Sequence, residues 1–114
     1  MAAEQGNVRG QYALAMTYML HIDGMTQNYP EAAKWFAKAA EQGETDAQPR
    51  LGELYEYGRG VEQNLIEAYV LYSLSAENEN QQAQESLAEI GKKMRPTQRK
   101  AAQEELKRRK LKSN

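Results

Sequence analysis

Within residues 11–20 the apolar positions Tyr12, Leu14, Ala15, Tyr18 and Met19 recur every three or four residues, the spacing of one face of an amphipathic helix. The rhythm restarts along the chain and predicts helices over 8–20, 28–41, 46–57, 65–77, 80–93 and 97–109, with no strand. Two starts are written alike. Asn28 with Glu31, and Asn64 with Glu67, pair a capping side chain with a glutamate three residues on, the pattern of a capping box. In Tyr57-Gly58-Arg59-Gly60-Val61 a glycine stands where a helix end wants positive φ, followed by an apolar residue able to fold back. Pro30 and Pro49 fall in predicted first turns, where a missing amide costs little, and Pro96 separates the last two helices. Arg95 is a poor cap for the last of these, so that helix is expected either to start loosely or to be capped by Thr97.

The helices form a repeat. AAEQG at 2–6 returns at 39–43 and as SAENE at 75–79, and Leu14 keeps step with Leu51 and Leu87, Tyr18 with Tyr55, Gly24 with Gly60, and Glu31-Ala32 with Glu67-Ala68. The period is about 36 residues, and one extra residue falls near 19–25, where a loop is expected. The chain divides into units over about 7–43 and 44–79, a half unit over 80–94 and a closing helix within 97–112, all in one domain.

At Ala47-Gln48-Pro49-Arg50-Leu51-Gly52-Glu53-Leu54-Tyr55, then YGRGVEQN and EAYVLYSLSAE, the sequence resembles the Sel1-like repeat, a relative of the tetratricopeptide repeat. Unit one carries the later part of that pattern in Trp35-Phe36 and Ala39-Ala40. The resemblance implies an all-α, right-handed superhelix of stacked antiparallel helix pairs, acting as an adaptor that assembles other proteins, often in bacteria, with no catalytic residue and no cofactor. A helix pair cannot bury both of its sides alone, so about three repeats are the usual minimum. With two and a half units, the chain is expected to belong to a longer array or to self-associate through its N-terminal edge.

Composition narrows the remaining classes. One Phe and one Trp stand beside seven Tyr, so Leu, Ala, Met and amphipathic tyrosines must form the core. There is no cysteine, hence no disulfide or thiolate chemistry, and cytoplasm and periplasm stay equally open. No apolar run of membrane-spanning length occurs, and the first residues lack a signal peptide's regions, so a soluble chain is expected. One His and two Asp make a poor inventory for catalysis; His21 and Asp23 share a loop but do not make a metal site. The net charge of −1 hides a separation: residues 92–114 hold ten Lys or Arg against Glu104 and Glu105, leaving an acidic body.

A partner protein or peptide is expected in the concave groove lined by the first helix of each unit. Leu14, Ala15, Tyr18 and their equivalents are the packing set, and the groove then carries Arg9, Tyr12, Ala13, Met16 and Leu20, next Asp46, Arg50, Glu53 and Tyr57, and finally Gln82, Ser86 and Glu89. Tyr and Arg are strong interface residues and Met adapts to irregular surfaces, which makes Tyr12, Met16, Arg50 and Tyr57 the anchors. The other reading of Tyr12 and Met16 is core between units. The alternative site is the basic helix with Lys107, Arg108, Arg109 and Lys110, for nucleic acid or an anionic membrane surface. It lacks the aromatic interleaving of single-strand binders, and its cations also suit a helix C-terminus.

Overall fold

The computed structural model describes residues 7–20 and 27–113, the last two of these as backbone. Its six helices are α1 (Val8–Met19), α2 (Tyr29–Glu41), α3 (Ala47–Tyr57), α4 (Leu65–Glu77), α5 (Gln81–Lys93) and α6 (Pro96–Ser113), with no strand among the described residues. Asn28, Asn64 and Asn80 stand just outside their helices as caps, accepting from the amides of Glu31, Glu67 and Ala83. Asp46 caps α3 by position only and makes no side-chain capping bond.

The capping boxes form by half. The amides of Asn28 and Asn64 are already taken by the carbonyls of Tyr18 and Tyr55 at 2.8 and 2.9 Å, so the glutamates have no donor to return to. Glu31 instead accepts from the Trp35 indole at 3.1 Å, and Glu67 pairs with Arg109. Each helix pair is thereby clasped at its turn by backbone, and its glutamate is released for a neighbour.

The last helix corrects two expectations. It starts at Pro96, not Thr97, and runs on to Ser113. Thr97 is not the cap. Proline occupies the first helical position, where no amide is missed, and the Arg95 amide donates to Gln98 Oε1 at 2.9 Å. The reciprocal half of a capping box therefore closes the helix start without a capping side chain.

Two cores follow from the pairing. Ala15, Ala32, Phe36, Ala39, Ala47, Leu51 and Leu54 build the first, between α1, α2 and α3, joined by Leu71 of α4; Ala68, Val70, Tyr72, Ile90, Met94 and Ala102 build the second, between α4, α5 and α6. Tyr55 is packed against both. Gly60, with φ +76°, brings the loop after α3 onto the start of α2: a Cβ there would stand 2.3 Å from the carbonyl carbon of Tyr29 and 2.6 Å from Pro30 N. No side chain fits, so this glycine fixes how the second pair sits on the first.

Candidate partner-binding face

The predicted anchors part company. Tyr12 is half-buried, its ring edge-on to Phe36 at 5.7 Å, and Met16 packs on the same core; the ring contact lies within the first helix pair. Arg9 is exposed but engaged, donating to Glu44 at 2.6 Å and lying 3.6 Å from Asp46, with its guanidinium 5.2 Å from the Tyr12 ring centre. Bonding to Glu44 raises the Arg9 pKa above its ordinary value. Arg50 sits 3.8 Å from Glu53, which also accepts from Gln82 at 3.1 Å. Burial pushes the Glu53 carboxyl up, against the pull of Arg50. Tyr57 alone among the anchors is open, at 54% exposure. Ala13 and Leu20 are exposed; Ser86 is half-buried. His21, Asp23 and Gly24 lie outside the described residues.

Around Tyr57 stand residues the sequence did not single out. Glu56 is buried, yet it is a fully partnered carboxylate: the Tyr72 hydroxyl donates to Oε1 at 2.7 Å and Lys93 Nζ donates to Oε2 at 2.6 Å. Burial, reinforced by the bond to Glu56, drives the Tyr72 phenol far above its ordinary pKa, and the same carboxylate raises Lys93. Lys93 Nζ also lies 4.7 Å from the Tyr57 ring centre. Arg59 sits 5.8 Å from the ring centre of Tyr29 and 5.4 Å from that of Tyr57, both within cation–π range. The face where α3 and α5 end is thus aromatic and cationic.

The basic helix is largely spent on its own chain. Arg108 and Arg109 hold Glu105 at 2.6–2.9 Å, Arg109 also grips Glu67 with both terminal nitrogens, and Lys110 pairs with Glu77. Bonds from Arg108 and Arg109 pull the Glu105 carboxyl below its usual range, and Glu67 raises Arg109. Of the four cations proposed for an anionic ligand, Lys107 alone has no carboxylate partner among the described residues. The charge separation seen in the sequence is used to lay α6 across α4.

A broad hollow lies elsewhere. About 620 Å³ opens between α2, α3 and α4, lined by Ala37, Ala40, Leu51, Leu71, Leu74 and, at its polar edge, Arg109. Gln48 also lines it, and Gln48 Oε1 is buried without a hydrogen-bond partner. No three His, Cys, Asp or Glu side chains converge as a metal site among the described residues, and no described helix is long and apolar enough to cross a membrane.

A family model described as Sel1 repeat matches residues 8–44 and again 45–80. Curated relatives include the chitin synthase regulator SKT5 of Saccharomyces cerevisiae, 33% identical over 81% of this chain and 14% of its own length. DAP3-binding cell death enhancer 1 of Rattus norvegicus is 36% identical over 75% of this chain and 16% of its length, and the alginate biosynthesis protein AlgK of Pseudomonas aeruginosa is 35% identical over 60% and 14%. The chain therefore spans about a seventh of the length of these relatives. Among solved structures, a protective antigen of uropathogenic Escherichia coli with an SLR fold superposes with a TM-score of 0.87 at 31% identity, covering 94% of this chain and 23% of the antigen. A Sel1 repeat protein from Oxalobacter formigenes gives 0.74 at 37% identity, covering 78% and 26%.

Proposed function

Because this chain belongs to the Sel1 repeat family, we propose that it is a protein-interaction module that holds a partner protein or peptide on the face of α1, α3 and α5. The observation that carries this reading is Tyr57, a large aromatic left 54% exposed between two cations at the end of α3. Exposed Tyr beside Arg is the chemistry of an interface hot spot. The relatives support a scaffold over an enzyme, since a chitin synthase regulator, a DAP3-binding protein and an alginate biosynthesis protein share no chemistry in their names. What they share is a stretch similar to this chain. The anchors narrow to Arg50 and Tyr57, with Glu53 beside them and Tyr12 and Met16 supporting them from the core.

Binding of nucleic acid or an anionic membrane through residues 92–112 is less favoured, because Arg108, Arg109 and Lys110 are already matched by carboxylates. Affinity capture from a bacterial lysate separates the two readings. Wild type is compared with Tyr57→Ala plus Arg50→Ala, and with Lys107→Gln plus Lys110→Gln, each shown by circular dichroism to keep its helices. Capture of a protein lost in the first variant and kept in the second is the expected result. Capture insensitive to the first variant would sink the assignment to this face.

A further inference from the structure

Arg59 is the one strongly cationic group on this face whose guanidinium is held in place yet has no acceptor. Its side chain makes no hydrogen bond or ion pair among the described residues, in contrast to Arg9, Arg50, Arg108 and Arg109. It stands between Tyr29, at the first position of α2, and Tyr57, at the last of α3. Two rings that restrict a flexible side chain reduce the rotamer entropy lost when it binds. The guanidinium keeps its planar fork of N–H donors for a ligand.

The surroundings favour an anion. Lys93 lies over the Tyr57 ring from the next helix pair, and Arg95 is exposed two residues further on. The two acids of α3 on this side are engaged. Glu56 is buried beneath Lys93 and Tyr72, and Glu53, which shares a hollow of about 210 Å³ with Arg59, Tyr29, Leu20 and Leu54, is bonded by Arg50 and Gln82, feels the charge of Arg59 without forming an ion pair with it, and is pushed toward its neutral form by burial. An exposed Leu20 and the Tyr rings add apolar surface beside the fork.

We infer that the Tyr29–Arg59–Tyr57 stack is a carboxylate-binding anchor, and that the partner held on this face presents an acidic segment with apolar side chains, gripped through an Asp or Glu at Arg59. The inference rests on the partner-binding reading above and names the chemistry of that partner. The other role open to Arg59 is to oppose the α3 dipole; lysine would serve that role equally well, whereas it cannot form the two-pronged bond.

The test is fluorescence anisotropy of the full chain with short fluorescein-labelled peptides alternating Glu with Leu or Gln with Leu, and with a labelled oligothymidylate. The Glu-Leu peptide is expected to bind about tenfold tighter than the Gln-Leu peptide, and to weaken as salt rises from about 50 to about 200 mM. Arg59→Gln and Arg59→Lys should each remove most of that preference, while Lys107→Gln plus Lys110→Gln leaves it intact. Equal binding of the two peptides, no binding of the acidic one, or an unchanged Arg59→Gln variant overturns the inference. So does tight oligothymidylate binding that depends on Arg59, since the ligand would then be a nucleic acid. If lysate capture is lost in Tyr57→Ala plus Arg50→Ala but not in Arg59→Gln, the face remains a binding site and only its acidic partner is refuted; if neither matters, both readings fall.

Discussion

In the first helix pair Phe36 shares a core with Ala15, Met19 and the ring of Tyr12; one repeat later the same places hold Tyr72, Gly52, Glu56 and Pro49. The first arrangement is apolar throughout. In the second, the added hydroxyl of Tyr72 needs a partner in the interior, Glu56 supplies it, and the buried charge is answered by Lys93 from α5. Gly52 belongs to the same exchange, since a Cβ there would lie 2.7 Å from Tyr72 Cε1. The ends of the two pairs differ in the same way. The turn after α2 puts Gly43 in the left-handed region and the turn after α4 puts Glu79 there, at φ 64°. Gln42 reaches the side chain of Gln11 at 2.8 Å, whereas Asn78, one methylene shorter, bonds Leu74 O and leaves Gln48 unmet. One backbone plan therefore tolerates either an apolar or a hydrogen-bonded contact. The polar solution ties the pair to its next neighbour, and it is also where small misfits remain.

The comparison yields a graded set of tests. Phe36→Ala empties the apolar contact and should cost about 3–5 kcal/mol in denaturant unfolding. Gly52→Ala should cost about 1–3 kcal/mol through overpacking against Tyr72, with a smaller cost once Tyr72 is replaced by a smaller residue. Tyr72→Phe removes one donor from buried Glu56 and should cost about 1–2 kcal/mol; adding Glu56→Met, which rebuilds the first pair's chemistry, should recover most of it. A pH series sharpens this point. Tyr72 and Lys93 both titrate higher in the folded chain than in the unfolded one, so their stabilisation is complete below about pH 10 and is lost as pH climbs beyond it. Melting curves taken at about pH 8 and about pH 10.5 should separate for wild type more than for the double variant. Smallest are two gains of about 1 kcal/mol each in melting experiments: Glu79→Gly relieves a left-handed backbone, and Asn78→Gln gives Gln48 the donor that Gln11 already has.

Sequence pattern carried far where causes are local. The asparagine caps act across three residues, and the helix period is read within a single turn or two, so six helices were legible with ends displaced by a residue or so, except the last, which runs four residues further. Pro96 misled because a proline reads as a separator, although in the first helical position it is also a start, and Gln98 rather than Thr97 completes it. The interaction face was harder. Tyr12 and Met16 lie on a helix that is packed along more than one side, and spacing alone does not say which side meets water. Arg59 stayed hidden among glycines that explain the turn by themselves; what orients it is Tyr29, thirty residues earlier, together with Tyr57. Glu56 needs Lys93 from across the next helix pair before it makes sense in a core. The run 107–112 looked like a free basic surface because the acids that hold it lie on α4 and within α6 itself.

The seat of Gly60 against Tyr29 and Pro30 reaches beyond the stability of one joint. Backbone touches backbone there, so the step from one pair to the next does not depend on which side chains decorate either of them. A duplicated unit that keeps this glycine inherits the pitch of the array along with the fold. Side chains on the outer face are then free to diverge while the distance between successive contact points stays constant, a ruler on which new partners can be read without redrawing the scale.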